Sequence, residues 1–186
     1  MTSRCSVGRI CRAALLAVSA LSCATAEYTS GASQNAAGRA PKLRVHELSE
    51  QAGRQTLVVA FGPGDDVLAG LTELARTRGW KSAHFDGIGS FSRATLGWYD
   101  FERKAFLKIP KDGTLEVASF IGNVTRDKDD APIVHAHGAV ADAHGAMTGG
   151  HVLEATVAAT LEVFLEVEPA VVRKVPDEAL GTKVIE

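Results

Sequence analysis

The chain has 186 residues, of which 46% are hydrophobic and 23% are charged, as is ordinary for a globular protein. This length predicts one domain with a tail rather than two full domains. Residues 1–26 contain three arginines and no acid, so their removal leaves 17 of the 20 basic residues against all 22 acidic ones, a net charge of −5. An acidic chain without a Lys/Arg run lacks the electrostatic footprint of a nucleic-acid-binding protein.

The first 26 residues have the order of a secretory signal peptide. Three arginines within residues 1–12 precede a short apolar run at residues 13–21, and small residues follow that run. The run is too short to span a bilayer. Cleavage after Ala26 and cleavage before a lipidated Cys23 are both compatible with this pattern. We therefore expect an exported protein that is either periplasmic or attached to the membrane through a lipid anchor at Cys23.

Residues 27–41 are rich in Ser, Gly and Ala and predict a flexible linker. Strands are predicted at residues 43–48 and 54–61. The sequence Gly62-Pro63-Gly64-Asp65 predicts a turn in which Asp65 caps a helix over residues 65–78. Apolar residues at helical spacing give this helix one buried face, and Gly79 ends it.

A hydrophobic period of two replaces the helical period after Gly79. Strands are predicted at residues 81–90, 92–100, 105–109, 114–125, 132–141, 146–153, 156–167 and 171–175. One helix against many strands indicates an α+β fold with a mostly antiparallel, curved sheet. We expect the domain to span residues 42–176, with residues 177–186 as a loosely held tail or an edge strand. Four aromatic residues are expected in the core or at an interface: Trp80, Trp98, Tyr99 and Phe101.

Three of the six histidines form a candidate metal site. His135 and His137 are two residues apart on a predicted strand, so their side chains point to the same face. His151 follows Gly149-Gly150, where missing side chains let a neighbouring strand approach. Three imidazoles with one open position form the arrangement of an accessible zinc site, although imidazole also binds copper, nickel, iron and cobalt. The sequence therefore predicts a divalent metal site, most readily for Zn²⁺.

An H-x-H pair alone is a weak signal, because such pairs also occur on solvated strand faces. Glu116 and Glu154 are candidates to orient the imidazoles from the second coordination sphere. His84 is a third candidate neighbour, and it could also form an acid/base pair with Asp86. No nucleotide loop and no nucleophile elbow occurs in the sequence, so no catalytic residue and no organic cofactor site is predicted.

Five motifs together carry a family resemblance. In chain order they are GPGDDVLAGL, AHFDGIGSFSRATLGWYD, LEVASFIGNV, PIVHAHGAV and GGHVLEATVAATLEVFL. Over residues 43–175 they resemble the plant-and-prokaryote conserved (PPC) domain. The resemblance implies a compact α+β fold, with a twisted antiparallel sheet and the helix after the second strand. It also implies a homotrimer in which sheet surfaces pack between subunits.

Prokaryotic PPC members with the H-x-H and GGH patterns resemble metal binders. This implies His135, His137 and His151 as ligands and places Glu116 near the same pocket. Plant relatives bind AT-rich DNA through a separate AT-hook, which has no counterpart in this sequence. The first hypothesis is a metal-dependent small-molecule binder or enzyme, for which hydrolysis by metal-activated water is the natural chemistry. The alternatives are a non-catalytic structural or partner-binding trimer and a DNA-binding protein, and charge and export disfavour the last.

Overall fold

The computed structural model describes residues 25–30 and 38–186. Most of the predicted signal peptide, including Cys23, lies outside these residues, as do residues 31–37 of the predicted linker. Within the described residues, no helix is long and apolar enough to cross a membrane.

Nine strands and one helix make up the described part of the chain. In chain order they are β1 Tyr28–Ser30, β2 Arg44–Gln51, β3 Arg54–Phe61, α1 Val67–Thr77, β4 Ser82–Asp100, β5 Ala105–Arg126, β6 Pro132–Ala141, β7 Met147–Glu168, β8 Lys174–Asp177 and β9 Thr182–Ile185.

The strands after the helix are longer than the sequence predicted. Each of β4, β5 and β7 joins two segments that were predicted as separate strands. In β4 the hydrogen-bond register shifts between Gly87 and Gly89 and again between Phe91 and Arg93. Such irregularities bend a strand and interrupt its alternating pattern, which is why each long strand looked like two short ones.

Every pairing between these strands is antiparallel. The main sheet has the order β1-β5-β4-β7-β3-β2, and β6 pairs with both β5 and β7. Because β4 also pairs with β5 and β7, the four strands β4 to β7 close into a ring. The predicted α+β class with a mostly antiparallel sheet is confirmed.

Helix α1 packs on the sheet through the apolar face that the sequence predicted. Val67, Leu71 and Ala75 are completely buried on this face. The helix follows the third strand rather than the second, because Tyr28–Ser30 pairs with Ala105–Leu107 at the edge of β5. This short strand lies inside the range predicted as a linker, where composition alone carried no strand signal.

The cap of helix α1 is Asp66 and not Asp65, so the predicted cap was wrong by one residue. Asp66 Oδ1 accepts the Ala69 N–H at 2.8 Å. The fully buried Asp65 instead accepts the N–H groups of Lys42 and Gly62, each at 3.0 Å. Asp65 thereby joins the segment before β2 to the turn before the helix, a partner 23 residues away that local reasoning could not reveal.

The predicted aromatic set divides between core and surface. Trp80 is buried, whereas Trp98 and Phe101 are 59% and 69% exposed near the turn between β4 and β5. The ring of Tyr99 packs edge-on against Phe106 with 4.9 Å between centroids.

The C-terminal residues form a second, two-stranded sheet. Lys174–Asp177 pairs with Thr182–Ile185, so the domain boundary predicted at residue 176 falls within β8. The Tyr99 hydroxyl donates to the Leu180 carbonyl at 2.7 Å, which attaches this hairpin to β4. The hairpin therefore belongs to the folded body.

Asp65→Ala should destabilise the fold more than Asp66→Ala. The first change leaves two backbone N–H groups without their buried acceptor and should lower the free energy of unfolding by about 3 kcal/mol. The second removes one helix cap, which costs about 1 kcal/mol. Urea unfolding of both variants measures the difference. Equal losses would contradict the role given to Asp65.

Candidate metal centre

Adjacent strands bring the three predicted histidines together. His135 and His137 lie on β6, and His137 pairs directly with His151 on β7. Alternation along each strand turns these side chains away from the buried Ala136 and Val152. The site therefore lies on the outer surface of the strand ring, opposite the core.

Glycines permit the close strand spacing at this point. A Cβ atom on Gly149 would lie 2.9 Å from the carbonyl oxygen of Gly138, and one on Gly150 would lie 2.7 Å from that of Gly97. Both distances are too short for a real side chain. The reason given for the Gly149-Gly150 pair in the sequence is thus confirmed: the missing side chains let β7 lie between β4 and β6.

The three imidazoles form a compact group. Their ring centroids are separated by 5.2 Å between His135 and His137, 5.0 Å between His135 and His151, and 5.5 Å between His137 and His151. One nitrogen from each ring lies within 4.8 Å of the others. In a tetrahedral zinc site the nitrogens are roughly 3.4 Å apart, so small side-chain rotations suffice for the three rings to share one ion. The donor set therefore fits a divalent metal.

The surroundings of the rings keep two of them neutral. Burial, helped by Lys174 and His137, lowers the pKa of His135 to about 4. Burial, followed by the charges of His135, His137 and Lys174, lowers the pKa of His151 to about 3. Neutral imidazole is the form that binds a metal, so neither ring has to lose a proton at pH 7 before ligation.

His151 is the most enclosed of the three ligands. Its side chain is 5% exposed, and the Phe106 ring stacks on it with 4.4 Å between centroids. His135 is half-buried and His137 is exposed. An ion at this site would therefore be covered by Phe106 on the His151 side and accessible on the His137 side.

Lys174 is an unpredicted member of the site. Its Nζ atom lies 3.0 Å from Nδ1 of His135, although the residue is only 6% exposed. Burial lowers the pKa of Lys174. Lys174 lies 39 residues after His135 in the sequence, and only the fold of the C-terminal hairpin shows that it reaches His135.

The two predicted outer partners do not reach the imidazoles. Glu116 is exposed and pairs with Ala141, four residues from His137 along β6, or about 13 Å away. Glu154 is also exposed and accepts a hydrogen bond from the Thr95 hydroxyl at 3.2 Å. Neither carboxylate belongs to the group of potential ligands, which consists of the three histidines.

His84 lies beside the site rather than in it. It lines a depression of about 350 Å³ together with His135 and His137. Its nearest acidic partner is Glu166 on the neighbouring strand, at 3.7 Å, and not the Asp86 that the sequence suggested.

A larger depression of about 530 Å³ lies along helix α1, away from the histidines. The histidine group is the candidate functional site, because ligand chemistry, and not cavity size, defines a metal centre.

The chain belongs to the Plants and Prokaryotes Conserved (PCC) domain family, the PPC family of the sequence resemblance. The family model matches residues 48–168, which contain all three histidines. The resemblance is confirmed. A search of the curated proteins finds no significant match.

Solved structures show the same fold. A protein from Ralstonia eutropha JMP134, described as a "putative DNA-binding protein", is 33% identical, with 75% of this chain and 94% of that chain covered and a TM-score of 0.67. A plant- and prokaryote-conserved protein from Pyrococcus horikoshii is 26% identical, with coverages of 77% and 94% and a TM-score of 0.66. A protein from Archaeoglobus fulgidus described as metal-containing is 25% identical, with coverages of 81% and 96% and a TM-score of 0.62.

The metal-free protein should lose stability on acidification. Unfolded histidines bind protons with a pKa near 6.5, whereas His135 and His151 in the fold remain neutral down to about pH 4 and about pH 3. Between these values the unfolded state binds more protons, so the free energy of unfolding falls as the pH falls. We expect a loss of about 2 kcal/mol from pH 7 to pH 5, after allowance for solvent screening.

Urea unfolding in the presence of EDTA at several pH values measures this loss. The variant His151→Gln should show a smaller dependence on pH, because one of the two low-pKa groups is gone. An unfolding free energy that stays constant or rises on acidification would contradict the assigned pKa values.

Proposed function

We propose that this protein is an exported, trimeric metal-binding member of its family that holds one divalent ion per chain, most readily Zn²⁺, and binds a small-molecule ligand there. The observation that carries the proposal is the convergence of one nitrogen from each of His135, His137 and His151 within 4.8 Å. Export is supported by the signal-peptide pattern of residues 1–26, which leaves periplasmic and Cys23-anchored forms as alternatives.

A bound ion would supply a Lewis acid with an open coordination position. The residues of the chain define what surrounds it. The three histidines would hold the ion, Phe106 excludes water on the His151 side, and the exposed side of His137 admits a ligand. The metal-containing description of the Archaeoglobus relative supports the same reading.

DNA binding is a weaker candidate. It is suggested by the description of the Ralstonia relative. The net charge of −5 after residue 26 opposes it, because affinity for DNA depends on neutralisation of phosphates by Lys and Arg.

Metal content should depend on the three histidines and not on other histidines. Alanine at His135 or His151 should reduce bound Zn²⁺ at least tenfold in the purified, reconstituted protein, because two imidazoles alone make a weak site. His46→Ala is the matched control, since His46 is exposed on β2. Elemental analysis after extensive dialysis gives the stoichiometry. Unchanged metal content in the His135 and His151 variants would refute the proposed function.

The outer sheet face supports assembly into a trimer. Ile121 on β5 and Phe164 on β7 both pair with Asp86 on β4, so they form one row across three strands. Ile121 is 53% exposed and Phe164 is 49% exposed, and the nearby Ile88 is 62% exposed. Ile121 and Phe164 lie on either side of the exposed Asp86 in this row. Exposed apolar residues close together on one sheet face are typical of an interaction surface, and the family resemblance implies packing of sheet surfaces between three copies.

The double substitution Ile121→Glu/Phe164→Glu should convert the trimer to monomers. Two further carboxylates beside Asp86 would have to lose their hydration on assembly and would repel its negative charge, which weakens the interface. Sedimentation equilibrium measures the mass, and Ile185→Glu on β9 serves as a control because Ile185 is at least as exposed but lies in the C-terminal hairpin. A variant that keeps the mass of the unaltered protein would place the interface elsewhere.

A non-catalytic, structural trimer is the second candidate, and the same apolar row favours it. The two candidates differ in what the metal does. In a structural trimer, removal of the ion would change stability only, whereas in the proposed function it would also abolish binding of small molecules at the site.

A further inference from the structure

We propose that metal binding releases Lys174 from His135, and that the released ammonium group and the ion together bind a small oxyanion. The inference rests on the proposed function, because it names the class of ligand that the metal site takes. It concerns a residue that no sequence motif had singled out.

The starting geometry is the contact between Lys174 and His135. The Nζ atom of Lys174 lies 3.0 Å from the Nδ1 atom of His135, and the residue is 6% exposed. Among the described residues, no carboxylate oxygen lies within the 4.0 Å of an ion pair from this nitrogen. The amine is therefore enclosed in protein with an imidazole nitrogen, and not an acid, as its partner.

While Lys174 is an ammonium group, which can only donate, its contact with His135 and metal binding by His135 exclude each other. A neutral imidazole has one nitrogen that donates and one that accepts. If Lys174 donates to Nδ1, the proton of the ring is on Nε2, which then cannot bind an ion. If the ion binds Nε2, the proton moves to Nδ1, which no longer accepts from Lys174. If the ion binds Nδ1, it takes the place of Lys174 directly.

The charge of the metal-bound site then favours an anionic ligand. Three neutral imidazoles contribute no charge, and neither Glu116 nor Glu154 belongs to the ligand group. A divalent ion beside a released ammonium group would place positive charge in a partly buried site without a counter-charge, which is unfavourable. An oxyanion that occupies the open coordination position and accepts a hydrogen bond from Lys174 satisfies both groups.

Hydrogen bonds fix the backbone that leads into Lys174, and Lys174 itself pairs with Ile185 on β9, so the amine stays near the ion after its release. The Arg126 N–H donates to the Val172 carbonyl at 2.9 Å, and the Glu186 N–H donates to the Arg173 carbonyl at 3.1 Å. The Arg173 guanidinium donates to the Asp127 carbonyl at 2.7 Å. The depression lined by His135 and His137 opens the histidine group to small molecules in solution.

Titration of the Co²⁺-loaded protein with inorganic phosphate tests the inference. Cobalt reports a change of its ligands through its visible absorption, so binding is read without any assay of activity. The unaltered protein should show a saturable spectral change. Lys174→Met should raise the Kd for phosphate at least tenfold, and Lys174→Arg, which keeps the charge, should raise it less. Lys128→Met, at an exposed lysine paired with Asp129, should leave it unchanged.

Equal phosphate affinity in Lys174→Met and the unaltered protein would overturn the inference while leaving the metal site intact. Failure of the unaltered protein to bind Co²⁺ would instead refute the proposed function. Circular dichroism verifies that the variants fold. If Lys174→Met does not fold, acetylation of the unaltered, Co²⁺-loaded protein tests the inference instead. Phosphate should slow the acetylation of Lys174 but not that of Lys128. Equal acetylation of Lys174 with and without phosphate would overturn the inference.

Discussion

The antiparallel pairing of β6 with the first residues of β7 is the constraint on which the site depends. It sets His137 opposite His151, and the two-residue spacing on β6 adds His135 on the same face. The pairing requires glycine at residues 149 and 150, since a side chain there would collide with the backbone of β6 or β4. The same pairing closes β4 to β7 into a ring. One strand pairing therefore sets both the architecture of the sheet and the positions of the three histidines.

Much of this arrangement could be predicted from the sequence, because it follows from short-range periodicity. The two-residue spacing of His135 and His137, the glycine pair before His151 and the apolar face of α1 are local signals, and the structure bears out the placement of each. The division of β4 into two predicted strands was wrong, because bulges at Gly87–Gly89 and Phe91–Arg93 break the alternation without ending the strand. Local sequence patterns show which side of a strand is buried and with what period, but they do not show where the strand ends.

Contacts between distant parts of the chain could not be predicted in this way. Lys174 reaches His135 across 39 residues, and Asp65 binds the backbone of Lys42 across 23. Carboxylates were expected around the imidazoles because acids commonly orient metal-binding histidines. The fold places a lysine there instead, and Glu116 and Glu154 remain at the surface. The sign of the charge beside the imidazoles is therefore a result of tertiary structure, and in the proposed function it favours an anionic ligand at the open position of the bound ion.

The most direct measurement is a crystal structure of the Zn²⁺-reconstituted protein with anomalous data collected on both sides of the zinc absorption edge. The geometry predicts one anomalous peak per chain, bonded to one nitrogen each of His135, His137 and His151 at about 2.1 Å. A structure with no peak at this place, or with a zinc ion bound by other residues while these three rings remain apart, would contradict the assignment of the metal centre.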